Sequence, residues 1–257
     1  MSTLTDFAQL MTDNIYSSIP RLRPHEEDLS NAKIIAHRGV HDNKDLIENT
    51  LPALQKAKDE GLYGIEFDIR WTADDVPVLC HDTTLRRLFP EASTPINDGT
   101  FKELKKQCPN LTSLEEALEA LARKIHMFIE IKEPLTSMKR KEILHNYFDR
   151  MAPIEDFHVM SLKPEFFEEC DFLPPGALLP IAELNIGRLS QMALERGWAG
   201  LTGHYLLLSQ KLFDRHNEVS QKCGTGFINS KNLFYREVQR GMDWLFTDKP
   251  LLLKSLA

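Results

Sequence analysis

The sequence lacks most of the features that would tie a chain to a special environment. It has only four cysteines in 257 residues (Cys80, Cys108, Cys170, Cys223), and no two are spaced as a CxxC pair or a zinc-ligand set. That excludes a disulfide scaffold or structural zinc, and the expectation is reduced thiols in a cytoplasmic protein. No unbroken apolar run reaches the roughly 18 residues of a membrane span, so no stable membrane insertion is expected. Positive charge is in deficit: 31 Lys and Arg against 38 Asp and Glu give a net charge of −7. Such a balance argues against a partner that is nucleic acid, although local cations or a bound metal can still make one pocket attractive to a small anion. No internal repeat, low-complexity tract or dividing linker is visible. The opening MSTLTDFAQLMTDNIYSSI has neither a basic start nor an unbroken apolar core, so a signal peptide is not expected.

What is present is an apolar share of 42%, enough for a full core, and a regular alternation of short β-rich runs with helical patterns. Leu4, Phe7, Ala8, Met11 and Ile15 fall at helical spacing before Pro20 and Pro24 break the pattern. Residues 1–31 are therefore read as an N-terminal helical extension, and 32–257 as one domain. Strand-like runs lie at 33–37, 63–70, 76–81, 125–132, 157–162, 177–184, 199–204, 225–229 and 243–248. Too few residues separate 63–70 from 76–81 for a parallel crossover, so that pair must be an antiparallel hairpin. The other joints are long enough for helices, and eight parallel β-α units in a chain of this length predict an α/β fold, the (β/α)₈ barrel. Asn49 is expected to cap a helix ending at Gly61, Thr112 and Ser113 to open another through overlapping capping boxes, and Asp248 to start the last. Residues 83–112 form the longest irregular piece, a candidate lid or rim.

In a barrel of this kind, functional groups sit at the C-terminal ends of the strands. Within GIEFDIR, Ile65, Phe67 and Ile69 share one face and must pack on helices, which turns Glu66 and Asp68 inward. In IHMFIEIK, Glu130 and Lys132 likewise point inward. Three converging carboxylates repel one another. A divalent cation relieves that, and an all-oxygen set suits Mg²⁺ or Ca²⁺ better than zinc. The competing reading is an internal salt-bridge network with Lys132 and Arg38. His37 ends the first strand and His81 the hairpin strand. Together they form a candidate acid/base pair, while Arg38 and Lys132 are candidate phosphate cations. A metal, two cations and two histidines suit the cleavage of a phosphate ester.

The ordered set AHRG, ENT, IEFD, HDTTLRR, IEIK, FTDKP, spread over residues 33–250, resembles the glycerophosphodiester phosphodiesterase family of the PLC-like phosphodiesterase superfamily. The resemblance implies a (β/α)₈ barrel that hydrolyses glycerophosphodiesters such as glycerophosphocholine or glycerophosphoethanolamine to sn-glycerol 3-phosphate and an alcohol. It implies His37 and His81 as the acid/base pair, Glu66, Asp68 and Glu130 as ligands of one divalent cation, Arg38 and Lys132 on the phosphate, and Glu48 as a partner that orients Arg38 or the metal site. The implied route begins with attack by the substrate's own glycerol hydroxyl on phosphorus, giving a cyclic phosphate that water opens. The chain departs from the family at GTGFIN, where Gly226 takes the place of a common tryptophan, with Phe227 beside it. That bears on the shape of the glycerol pocket. Two further readings stand beside this one: a lysophospholipase D, favoured by an apolar rim to which Leu85, Leu88 and Phe89 could contribute, and a non-catalytic phosphodiester-binding barrel. His41, His204 and Tyr205 are secondary candidates near the rim, Trp198 and Trp244 read as packing, and His126 as an inert, hydrogen-bonded residue deep in the barrel.

Overall fold

The computed structural model describes residues 15–257. It contains nine strands among these residues: β1 (Ile34–His37), β2 (Gly64–Trp71), β3 (Pro77–Leu79), β4 (His126–Ile131), β5 (Phe157–Ser161), β6 (Leu178–Ala182), β7 (Gly200–His204), β8 (Lys222–Gly226) and β9 (Trp244–Thr247). All but β3 pair in parallel in the ring order β1-β2-β4-β5-β6-β7-β8-β9, and β9 closes back onto β1. β3 stands outside the ring, antiparallel to the end of β2, with Ile69 opposite Leu79 and Trp71 opposite Pro77. The eight-stranded barrel with a hairpin excursion after its second strand is the fold that the sequence predicts. One joint, between β5 and β6, carries 3₁₀ turns (Pro164–Glu169 and Pro175–Ala177) instead of an α-helix.

The alternation of side chains divides the apolar residues into separate cores. Ile65, Phe67 and Ile69 face outward into a layer shared with Leu54, Leu114 and Leu118 of the surrounding helices. Inside the ring, Ile35, Phe128, Met160, Leu179, Trp244 and Phe246 fill the barrel. Below them the His126 ring shares one hydrogen bond with His158 (2.8 Å) and another with the Glu155 carbonyl (2.9 Å), the inert buried placement expected for His126. A third core, including Val78, Leu85, Ile96, Leu104 and Leu111, belongs to the excursion. Leu85 is thus buried within that small core, and Phe89 packs against it. Leu88 is half-buried as well, so none of the three is a fully exposed side chain.

Helix starts differ from the sequence reading in instructive ways. Thr50, not Asn49, precedes the helix Leu51–Asp59, whose first turn holds Pro52, while Gly61 (φ 63°) does end it in the left-handed region. Asn49 itself is left-handed (φ 56°) and turns its amide to Asp68. Of the two overlapping capping boxes only Ser113–Glu116 forms, because the Thr112 hydroxyl accepts instead from the Leu51 backbone N–H (2.9 Å). β8 covers Lys222–Gly226, earlier than the run at 225–229, since Phe227 takes a left-handed φ of 64° that breaks the pleat.

Residues 15–18 are helical and the chain leaves that helix before Pro20; Leu4, Phe7, Ala8 and Met11 lie outside the described residues. The segment then runs down the outside of the helix Lys231–Gln239. Asn232 donates to the Ser17 carbonyl (2.7 Å), Arg23 to the Tyr235 hydroxyl (3.1 Å) and Gln239 to the Leu22 carbonyl (2.9 Å). Among the described residues no helix is long and apolar enough to cross a membrane.

One glycine is sterically forced. At Gly200, φ is 145° and a Cβ would sit 1.8 Å from the Lys222 carbonyl oxygen on the adjacent strand. Gly200→Ala is expected to destabilise the barrel by roughly 2–4 kcal/mol, the sum of backbone strain and overpacking. The urea midpoint measures this, and an unchanged midpoint would contradict the close approach of β7 and β8.

Candidate active site

Strand register assembles the site. Across β1 and β2, His37 stands opposite Glu66; across β2 and β4, Asp68 stands opposite Glu130. Residues opposite one another in a parallel pair point the same way, so all four side chains enter the top of the barrel. Glu66, Asp68 and Glu130 are 3%, 1% and 8% exposed, and one oxygen from each lies within 4.8 Å of the others.

The cations anticipated from the sequence do approach this cluster. Lys132 Nζ is 2.8 Å from Glu130 Oε1 and 3.2 Å from Asp68 Oδ1, and Arg38 Nε is 3.3 Å from Asp68 Oδ2. Asn49 adds a hydrogen bond to Asp68 (2.9 Å). Glu66 is left over. It accepts from the Arg38 backbone N–H (3.1 Å) and sees His37 Nε2 at 3.7 Å. Among the described residues no lysine or arginine side chain pairs with it, and its Oε1 is buried without a hydrogen-bond partner. Charge follows geometry. Burial, and then the Asp68 charge, push the Glu66 carboxyl up to about 8. The same two causes push Glu130 up to about 7 even with Lys132 beside it. Burial acts on Asp68 as well, yet Lys132 and Arg38 outweigh it and hold that carboxyl well below the usual range. A salt-bridge network is therefore present but does not balance the cluster. A buried orphan oxygen, a carboxylate without a side-chain cation and an all-oxygen donor set fit a hard divalent cation.

Each histidine leans on a carboxylate of its own. His37 Nδ1 is 2.6 Å from Asp248 Oδ1, and Asp248 is fixed by Asn229, whose amide donates to Oδ2 (2.8 Å) and whose carbonyl accepts from the Asp248 backbone N–H (2.8 Å). His81 Nδ1 is 2.8 Å from Asp82 Oδ1, while Arg70 donates twice to the His81 carbonyl (2.9 and 2.8 Å). With Nδ1 engaged, Nε2 is the nitrogen that each ring presents. The two rings are pushed in opposite directions. Burial lowers His37, but Glu66 and Asp248 overcome it and leave the ring more basic than usual; at His81 burial prevails over Asp68 and leaves it less basic. Asp248 is thus not the helix cap read from the sequence. Lys249 occupies that position without a side-chain cap, and the aspartate turns inward to His37.

Glu48 holds Arg38 through Nη1 (2.8 Å), the orienting contact expected of it, and also accepts from Asn43 (2.7 Å) and Arg87 (2.6 and 3.1 Å). Burial opposes ionisation there, but Arg87, Arg38 and Asn43 together bring the carboxyl down to about 2. Of the secondary candidates, Tyr205 is fully buried and packs against Tyr16 (6.0 Å between rings), so it is not a rim residue. His204 lies 5.6 Å from the Phe227 ring, and Phe227 lies 6.2 Å from His37. Both His41 ring nitrogens are buried without a hydrogen-bond partner. Asp82, Arg87, Asn49 and Asn229 were not singled out by sequence reasoning as parts of a site. Each nonetheless lies in a stretch quoted above: Asp82 and Arg87 in HDTTLRR, Asn49 in ENT and Asn229 in GTGFIN.

The family model of the glycerophosphoryl diester phosphodiesterase family matches residues 37–252. The chain belongs to this family. Among curated relatives of this chain, the Bacillus altitudinis glycerophosphodiester phosphodiesterase is 30% identical over 247 residues, covering 85% of this chain and 95% of that protein. Rat glycerophosphodiester phosphodiesterase 1 is 36% identical over 112 residues, 38% of this chain; the matched part amounts to only 33% of the rat protein's length. Among solved structures, an Oleispira antarctica phosphodiesterase in complex with the product sn-glycerol-3-phosphate superposes with a TM-score of 0.74 at 21% identity, over 87% of this chain and 96% of that one, which shows a shared fold.

The raised carboxyls make cation binding pH-dependent with a definite sign. Glu66 and Glu130 hold protons in the cation-free fold at pH values where the unfolded chain has lost them, so their share of stability falls as pH rises from about 4.5 to 8. A divalent cation must displace those protons. Millimolar Mg²⁺ or Ca²⁺ is therefore expected to raise the Tm more at pH 8 than at pH 6, and Glu66→Gln should remove most of the increment. Equal shifts at both pH values would contradict a cation seated on this cluster.

Proposed function

We propose that the chain is a metal-dependent hydrolase of glycerophosphodiesters, producing sn-glycerol 3-phosphate and an alcohol. The observation that carries this reading is the placement of two histidines, each oriented by its own aspartate, around an unbalanced three-carboxylate cluster flanked by Arg38 and Lys132. In this reading Glu66, Asp68 and Glu130 hold one divalent cation, Mg²⁺ or Ca²⁺. The ion supplies charge neutralisation at the non-bridging phosphate oxygens. Arg38, fixed by Glu48, and Lys132 place two further positive charges there.

His37 and His81 act as the acid/base pair. One takes the proton from the glycerol hydroxyl that attacks phosphorus, and the other gives a proton to the alcohol oxygen as its bond to phosphorus breaks. The attacking hydroxyl belongs to the substrate, so it is held beside phosphorus at a high effective molarity. In the second half the roles reverse: a water attacks the cyclic phosphate, and the glycerol oxygen leaves with its proton restored. Asp248 and Asp82 keep each ring in the tautomer that leaves Nε2 for the substrate. Four buried free cysteines accord with a cytoplasmic site of action.

A second reading has an observation of its own. Leu162, Leu184 and Phe227 follow β5, β6 and β8 at the open end of the barrel, and they are 37%, 92% and 40% exposed. An acyl chain would find apolar contact there, which suits a lysophospholipid substrate. Side-by-side turnover of glycerophosphocholine and lysophosphatidylcholine separates the two readings.

Turnover of glycerophosphocholine is expected to need Mg²⁺ or Ca²⁺ and to stop with EDTA. His37→Ala and His81→Ala should each lower kcat by roughly 10²–10⁴-fold. A variant of either histidine with undiminished kcat would remove the acid/base assignment.

A further inference from the structure

Arg87 lies outside the groups assigned above, yet it joins two of them. Its Nε donates to Asp82 Oδ2 (2.6 Å), while Nη2 and Nη1 donate to Glu48 Oε1 (2.6 Å) and Oε2 (3.1 Å). Asp82 uses its other oxygen on His81, and Glu48 shares Oε1 with Arg38. A single guanidinium thus closes a chain that runs His81–Asp82–Arg87–Glu48–Arg38, from the excursion to the loop after β1.

The two ends of the chain differ in how firmly they are held. Glu48 is 4% exposed and keeps Arg38 and Asn43 as partners without Arg87. Asp82 is about one-third exposed, and its carboxylate has two partners among the described residues, His81 and Arg87. The His81 side chain is also about one-third exposed, so burial alone does not fix its ring. Its ring orientation therefore depends on Asp82, and the orientation of Asp82 depends on Arg87. Both Nη donors engage the same buried carboxylate, which fixes the guanidinium plane as well as its position. The Arg87 side chain is itself 44% exposed, so its ion pairs add little to global stability.

We propose that Arg87 is a positioning residue that sets His81 for catalysis by bracing Asp82 against the buried Glu48. The inference rests on the reading of His81 as one of the acid/base pair. It makes the turn that bears Arg87, rather than the barrel, the part that aligns one of the two histidines.

The test is steady-state turnover of glycerophosphocholine by the full chain with Mg²⁺. Arg87→Ala is expected to fold with an unchanged Tm and to lose about 10–100-fold in kcat, the cost of a mispositioned group, with KM altered less than about threefold. Arg87→Lys, which offers one point charge in place of a fork, should recover only part of the loss, and millimolar guanidinium chloride should restore activity to Arg87→Ala but not to His81→Ala. The double variant His81→Ala/Arg87→Ala should turn over no more slowly than His81→Ala, since Arg87 acts through that ring. Losses that multiply in the double variant, or a kcat for Arg87→Ala within about twofold of the parent, would overturn the proposal. Should Arg87→Ala fail to fold, Arg87→Lys and the matching double variant distinguish the same outcomes. An undiminished kcat in His81→Ala would remove the acid/base reading itself, whereas a slow His81→Ala with multiplying losses would remove only the role of Arg87.

Discussion

Everything at the open end of this barrel is arranged around one electrostatic problem. Strand register brings Glu66, Asp68 and Glu130 within 4.8 Å of each other in a buried position, and among the described residues one lysine and one arginine, Lys132 and Arg38, pair with them. Both cations are drawn to Asp68, which stays ionised, and Glu66 remains without a lysine or arginine. Register keeps the three carboxylates together, because the two neighbouring strands that carry them are held by outward residues packed beneath the helices. Such a site is poised either to keep protons on its carboxyls or to exchange them for a cation, and the surrounding groups are placed to work beside whichever charge it holds.

Most of this was legible in the sequence because it follows from a period of two. The alternation in GIEFDIR and IHMFIEIK separates Ile65, Phe67 and Ile69 from Glu66 and Asp68, and the parallel ladder then fixes which carboxylates meet. The hairpin was equally legible, since the few positions between its strands leave no room for a crossover. What escaped were contacts that depend on the paths of loops. Asp248 stands two residues before a proline-led helix and carries the local signature of a cap, but a tertiary partner, His37, took precedence over the local one. Asn49 was misassigned for the same reason: its left-handed backbone and its bond to Asp68 come from the site, not from the helix it precedes. Tertiary contacts in the carboxylate and histidine cluster overrode local propensity at both positions.

The two histidine arms are built from different materials. His37 lies on a barrel strand, and its aspartate is held by Asn229 from the adjoining segment, so that arm is carried by the closed ring. His81 lies just past β3, outside the ring, and its aspartate is held by a guanidinium on a turn of the excursion. At the opening, the loops after β5, β6 and β8 also present the exposed apolar side chains Leu162, Leu184 and Phe227.

The small separate core around Val78, Leu85, Ile96, Leu104 and Leu111 has a consequence for how activity is lost. It buries far fewer side chains than the layer between barrel and helices, it has no closed ring of strands to reinforce it, and it carries the loop on which His81 and Asp82 sit. Local opening free energies scale with such buried contacts. Heating is therefore expected to reach the excursion first and to loosen the loop that holds His81 and Asp82 while the barrel is still folded. The part that loosens first is then a minor hydrophobic cluster beside the ring, not the barrel that makes up most of the protein's mass.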